Sequence, residues 1–415
     1  MAKEKIYLDY AATTPMDEAV FGAMKPFFCE TFGNASSAHQ FGREAREAVE
    51  KARAQAAEFL GCAPEEIIFT SCATESNNLA LKGVVKKIRQ MRGAGFVPHI
   101  ITSAIEHHCV IHSCEALEKD GLAEVTYLPV DKEGLVEVES VEKAIKENTI
   151  LVSIMYANNE IGTVQPIKEI GEVIKRKNNE NFSTSSKNKL YFHVDAVQAI
   201  NYLDCNVDRL GADLLSLSAH KFYGPKGVGA LYIRKGTPIK RIQDGGEQEF
   251  KLRAGTLNTP GIVGLGEAIK SIKYNVVSIK EIERLRDKLI DNILRNVPNA
   301  KLNGSREKRL LNNANFSFPG AEGEAILLAL DLEGIAVSTG SACASENLNP
   351  SHVLIALGLG PEETHSSIRM TLGKYTKEED IDRVLEILPK AVERLRNISG
   401  QKGEAKKKLP DDFGC

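Results

Sequence analysis

The chain has 415 residues, 42% of them hydrophobic and 26% charged, with a formal net charge of -3. That length suits a large domain joined to a smaller one, and the near-neutral balance gives no electrostatic case for nucleic acid or an anionic membrane surface. No stretch reaches the roughly 18 apolar residues of a membrane span, residues 1–6 carry charge but no apolar leader core, and the eight cysteines form no C-x-x-C pair, so the expectation is a cytoplasmic protein without a disulfide framework.

In chain order, a short strand at 6–9 is closed by Ala11-Ala12-Thr13-Thr14-Pro15. Asp17 stands where it can cap a helix, and 32–37 is a loop. An Ala/Glu/Arg-rich helix follows over 42–60, ended by Gly61. From 66 onward strands and helices alternate. Strands are expected at 67–69, 99–102, 125–128, 149–154 and 191–194, with a further apolar run, 212–217, ahead of Ser218. Helices are expected at 75–92, 110–119, 139–147 and 167–177. Such alternation means a mostly parallel sheet covered by helices on both faces. Residues 177–189 (KNNENFSTSSKNK) read as a polar surface insertion. Near 258 the alternation stops. A helix of about 25 residues with apolar positions 279, 282, 285, 289 and 293 follows. Next come strand 314–318, helix 322–332, strands 335–337 and 367–371, and a last helix behind a Thr376-x-x-Glu379 capping box. The fold class is therefore α/β, with a large domain over 15–257 and a smaller α+β domain over 258–398. Residues 1–14 contribute to the smaller one, and 399–415 form a lysine-rich tail.

Four polar clusters fall at the carboxyl ends of expected strands, where open α/β sheets bind ligands. Thr70-Ser71-Cys72-Ala73-Thr74 opens a helix with hydroxyls and free amides, a cradle for a phosphate or simply an ordinary N-terminal cap. Asp195 ends a buried strand, where a carboxylate needs a cationic partner such as a protonated pyridine ring; the plainer reading is a helix cap. Asn158-Asn159-Glu160 is the third. The fourth is Ser218-Ala219-His220-Lys221 ahead of a Tyr-Gly-Pro-Lys-Gly turn. A lysine set against apolar surroundings gives up its proton readily enough to form a Schiff base with a carbonyl cofactor, whereas a loop lysine is more commonly just solvated.

Glu106-His107-His108 with Cys109, His112 and Cys114 has metal-ligand residue types, and His108 and His112 would share a helix face. With no second helix offering a matching pair, His107 reads instead as an aromatic and acid/base group at a strand end. Further along, Cys343 sits in a Ser/Gly/Ala loop with no apolar neighbours to bury it, which makes it a candidate nucleophile. Arg369, in a short strand, has the planar fork that binds a carboxylate bidentately.

Taken together, Tyr7-Leu8-Asp9-Tyr10-Ala11-Ala12-Thr13-Thr14-Pro15, Phe69-Thr70-Ser71-x-Ala73-Thr74-Glu75-Ser76, Asn158-Asn159-Glu160-Ile161-Gly162, His193-Val194-Asp195-Ala196-x-Gln198, Ser218-x-His220-Lys221-x-Tyr223-Gly224-Pro225-Lys226-Gly227, Arg253-x-Gly255-Thr256 and Gly340-Ser341-Ala342-Cys343 closely resemble the motifs of cysteine desulfurases of the NifS/IscS type. These belong to the class V aminotransferase superfamily, with the fold-type I architecture of enzymes dependent on pyridoxal 5'-phosphate. The resemblance runs to about residue 395. It implies that Lys221 bonds the cofactor, Asp195 pairs with its pyridine nitrogen, Gln198 with its ring hydroxyl, and His107 stacks on the ring. Thr74, Ser218 and His220 would hold the phosphate, joined by Thr256 from the other subunit of a homodimer. Asn159 and Arg369 would bind the carboxylate of L-cysteine. Cys343 would take its sulfur as a persulfide, releasing alanine and passing the sulfur to an iron–sulfur scaffold or another acceptor protein. No resident metal is implied, although Cys343 could transiently ligate a cluster. Two departures stand out: Cys72 occupies a position that is usually glycine, and 244–251 is less glycine-rich than usual. A different reaction on the same machinery, that of an aminotransferase or selenocysteine lyase, needs Lys221 but not Cys343. A catalytically silent assembly scaffold would need none of Lys221, Asp195 and Cys343, and all three are present.

Overall fold

The computed structural model describes residues 5–183, 189–272, 276–339 and 350–400. Its strands are β1 (Ile6–Tyr7), β2 (Ile67–Thr70), β3 (His99–Ser103), β4 (Glu124–Leu128), β5 (Thr149–Met155), β6 (Tyr191–Asp195), β7 (Leu214–Ser218), β8 (Gly229–Ile233), β9 (Lys301–Leu302), β10 (Asn313–Ser317), β11 (Ile335–Ala336) and β12 (Ser367–Thr371). Seven of them make one sheet in the order β2-β8-β7-β6-β5-β3-β4. Every pairing is parallel except the two made by β8.

Why these segments are strands is visible in their burial. All residues of β5, β7 and β8 are buried, as expected of strands covered on both faces. Alternate side chains feed two different cores, because the pleat sends successive residues to opposite faces. Ile67, Phe69, Val152, Leu215 and Tyr232 pack on one face with the helices Gln40–Leu60 and Thr259–Ile272. Ile68, Ile100, Leu151, Leu214 and Leu231 pack on the other, against the helices Ala73–Arg92 and His108–Lys119. A third core gathers Leu8, the antiparallel sheet β12-β10-β9 and the parallel pair β1-β11 beneath the helices Val276–Asn296, Gly323–Asp331 and Glu378–Ile398.

The structure differs from the expectations in several places. Strand β8 has no counterpart among them; it is a five-residue segment that opens on glycine directly after a turn, too short for a periodic signal. The helix expected over 167–177 runs from Ile167 to Ser183, so the polar segment after 177 continues a helix through its first seven residues. The single helix expected after 258 is two, Thr259–Ile272 and Val276–Asn296. The first packs into the core of the large sheet through Ile262, Leu265 and Ile269. The second turns Ile282, Leu285, Leu289 and Ile293 into the third core. Asp17 occupies the cap position of Glu18–Met24 but caps nothing with its side chain, which accepts from Tyr375 and pairs with Lys374. The last helix begins one residue later than its expected box: Lys377 is at the cap, and Asp380 rather than Glu379 accepts from its amide at 2.8 Å. The Cys343 loop, 340–349, and the tail from 401 lie outside the described residues.

Candidate active site

The parallel strands all point their carboxyl ends the same way, and five of the connections leaving them meet. Thr74 follows β2, His107 follows β3, Asn159 follows β5, Asp195 and Gln198 end β6, and Ser218, His220 and Lys221 leave β7. Together with Arg369 of β12 they line one cavity of about 240 Å³. Of the residues to which the resemblance gives a catalytic, cofactor or substrate role, Thr256 and Cys343 are not among its lining. Thr256 is exposed, and Cys343 is outside the described residues.

Each side chain is placed by a local cause. Ser218 ends β7, Ala219–Lys221 make one turn of tight helix, and Tyr223 follows in the left-handed region at φ 64°. That reversal brings Lys221 back over residues 11–12, where its Nζ donates to the carbonyls of Ala11 and Ala12 at 2.6 and 2.8 Å. Gln198 donates to the same Ala11 carbonyl at 3.0 Å. His220 meets Thr13 Oγ1 through Nδ1 at 3.2 Å, and burial, reinforced by the charges of Lys221 and Lys226, holds its pKa down at about 4. A neutral imidazole is left beside the lysine.

His107 precedes the first turn of His108–Lys119 and caps it, its Nδ1 accepting from the Cys109 amide at 3.2 Å. Burial lowers the basicity of His107, as does Lys221, while Asp195 opposes them. Behind it Glu106 is fully buried, its Oε1 accepting from Ser103 Oγ at 2.7 Å and the Met155 amide at 2.8 Å. Desolvation pushes the Glu106 carboxyl up to about 8.

Arg369 is 2% exposed. Its Nη2 pairs with Asp9 Oδ1 at 2.7 Å, its Nη1 donates to the Asn159 carbonyl at 3.0 Å, and its buried Nε has no hydrogen-bond partner. Held in this way, the guanidinium lines the cavity with a planar fork suited to a carboxylate. Asp195, 6% exposed, accepts from the neutral donors Asn77 Nδ2 at 2.7 Å and the Val197 amide at 3.1 Å. Its charge therefore suits a cationic ring nitrogen. At the helix Ala73–Arg92, free amides of the first turn and the Thr74 hydroxyl suit a phosphate. These donor sets fit pyridoxal phosphate.

Of the metal-like motif's histidines, His107 lines that cavity, while His108 and His112 do not. His108 stacks on His112 with ring centres 5.1 Å apart and meets His352 at 4.6 Å. Among the described residues no group of three His, Cys, Asp or Glu is arranged to hold a metal ion. Sequence reasoning had passed over Asp9, Asn77 and Cys109 as site residues. Asp9 lay in a quoted motif, but nothing in the sequence paired it with a residue 360 positions away.

The family model for class V aminotransferases matches residues 6–384. The chain belongs to the class V aminotransferase family, in its NifS/IscS branch. It is 53% identical over 407 residues to a cysteine desulfurase IscS of Dictyoglomus turgidum, covering 97% of this chain and 98% of that one. A cysteine desulfurase IscS of Methanosarcina thermophila is 50% identical over 395 residues, at 95% and 93% coverage. Among solved structures, a NifS-like protein superposes with a TM-score of 0.85 at 40% identity, over 94% of this chain and all of that one. A second, SspA in complex with cysteine, gives 0.76 at 39% identity, over 90% of this chain and all of that one. The family's fold is thus the one described above, with its mostly parallel sheet flanked by helices.

Proposed function

We propose that this protein is a pyridoxal-phosphate-dependent cysteine desulfurase that converts L-cysteine to L-alanine and delivers the sulfur to an acceptor for iron–sulfur cluster assembly. The observation that carries this reading is the convergence of Lys221, Asp195, His107, Asn159 and Arg369 on one cavity. When bound, pyridoxal phosphate supplies an electron sink for the carbon from which a proton is removed. Lys221 would hold it covalently, Asp195 and Gln198 its ring, and Thr74, Ser218 and His220 its phosphate. Arg369 and Asn159 orient the carboxylate of cysteine. Lys221 Nζ and the His107 ring are the groups placed to move protons, both inside the cavity lining. The Cys343 thiolate then takes the substrate sulfur. An S–S bond forms as the C–S bond breaks, the electron pair stays with the three-carbon fragment, and protonation yields alanine.

The division into a large domain over 15–257 and a small one over 258–398 belongs to the same proposal, with one adjustment. The helix Thr259–Ile272 shares the large core, which supports a boundary after Ile272 rather than at 257. A homodimer is supported by Thr256, exposed on its own protomer, and by Phe21, Phe28, Phe32 and Phe41, each more than half exposed on the N-terminal segment. No helix among the described residues is long and apolar enough to cross a membrane; we place the enzyme in the cytoplasm.

The test is the reaction of purified protein with cysteine and an added thiol. Alanine and sulfide are expected in equal amounts. Cys343→Ala should abolish sulfide release yet keep the visible absorbance of bound cofactor. Undiminished sulfide from that variant would sink the persulfide route.

A further inference from the structure

The carboxylate at the end of β6 is held by a residue that no motif singles out. Asn77 lies on the helix Ala73–Arg92 and is fully buried. Its Nδ2 donates to Asp195 Oδ2 at 2.7 Å and to Cys109 Sγ at 3.1 Å, while its own Oδ1 is buried without a partner. Leaving a buried acceptor unpaired is costly. Rotating the amide would relieve nothing, because it would set Oδ1 against a carboxylate oxygen.

The second contact of Asn77 extends this row. Burial, aided by the nearby charge of Asp195, pushes the Cys109 thiol up to about 12, so Sγ keeps its hydrogen at neutral pH. It can donate as well as accept. His107 Nδ1 lies 3.0 Å from Sγ and also accepts from the Cys109 amide at 3.2 Å. Two donors at Nδ1 leave the proton of the neutral ring on Nε2. Carboxylate, amide, thiol and imidazole therefore form one hydrogen-bonded sequence. The charge of Asp195 in turn raises Glu106, His107, Cys109 and His193, the titratable groups around it.

We infer that Asn77 is a positioning residue: it orients Asp195 toward the ring nitrogen and couples it through the Cys109 thiol to His107. This rests on the proposed function, since the orientation of Asp195 bears on catalysis only if a cationic ring is bound. Asp195 and His107 act on that ring from two different connections of the sheet, and Asn77 with Cys109 ties those connections together.

The experiment uses full-length protein stripped of cofactor and titrated with pyridoxal phosphate, with circular dichroism as the check on folding. Asn77→Ala should bind roughly tenfold to a hundredfold more weakly, as loss of a hydrogen bond to a charged group implies. The pH midpoint of the visible absorbance should shift, and kcat should fall more than KM for cysteine rises. Cys109→Ala should move the same midpoint by less, and Cys109→Ser should restore it. Should Asn77→Ala fail to fold, Asn77→Ser and the two Cys109 variants carry the same readouts. Binding and midpoint equal to those of the native protein in the folded Asn77 variant would overturn the positioning role. Failure of the native protein to bind pyridoxal phosphate at all would overturn the proposed function and this inference together.

Discussion

Arg369 is a residue that composition alone would put in water, and the fold buries it. Its proposed role as a carboxylate ligand depends on Asp9 and the Asn159 carbonyl, which fix the guanidinium plane. Lysine keeps the charge but has no planar fork. Arg369→Lys is therefore expected to raise KM for cysteine by roughly tenfold to a hundredfold, with a smaller effect on kcat, as loss of charge-assisted hydrogen bonds implies. Steady-state kinetics with cysteine check this, and an unchanged KM would remove Arg369 from the substrate site. The residue types at the site were legible in the sequence through the set of motifs that together resemble the NifS/IscS desulfurases, since Lys221 or Asp195 alone has a plainer reading as a solvated loop lysine or a helix cap. Partners such as Asp9 and Asn77 were not, since a short-range pattern says nothing about a neighbour over a hundred residues away.

The segment before Thr256 shows how an element is held by one distant residue. Glu249, Phe250 and Lys251 are consecutive non-glycine residues with φ of 47, 55 and 70°, a backbone region such residues enter only when their surroundings enforce it. The enforcement is Glu249. Its carboxylate is clasped by Arg53 from the helix Gln40–Leu60 at 2.9 and 2.8 Å and accepts from the Phe69 amide of β2 at 2.7 Å. Arg53 itself lies over the rings of Phe69 and Phe250. Removing the Glu249 charge leaves buried Arg53 with only the half-exposed Glu50 at 3.1 Å, at a cost toward about 3 kcal/mol, the lower end for breaking a buried pair. Glu249→Gln should lower the urea midpoint accordingly, whereas Glu378→Gln, at an exposed ion pair with Arg284 and Lys288, should barely move it. Equal effects would mean that the segment is not held by this clasp. The helices and most strands were readable from periodicity and glycine stops. This clasp was not, because its members are 180 and 196 residues apart.

At the scale of the whole molecule, stability is expected to peak near pH 6.5. Burial lowers His99 and His193 to about 4. Between 6.5 and 4 the unfolded chain therefore takes up protons that the folded one refuses, and stability falls as pH drops through that window. Glu106 has the opposite sign. Folded, it keeps its proton up to about 8, while an ordinary carboxyl releases it near 4.5, so its contribution is full below 4.5 and is lost as pH rises toward 8. Two buried histidines outweigh one carboxyl below 6.5, and Glu106 governs the decline above it. Glu106→Gln should leave the melting temperature at pH 5 little changed and raise it relative to the native protein at pH 8; a parallel fall at both would overturn the assignment. The sequence by itself determined the class of the fold, the strand ends where chemistry gathers and the residue types available there, because strand and helix periods and turn residues act over a few positions. Only the tertiary structure decided which of those residues meet. Sheet order β2-β8-β7-β6-β5-β3-β4 brings connections from distant parts of the chain to one edge, and that order follows from packing two faces of a sheet at once, which no local pattern encodes.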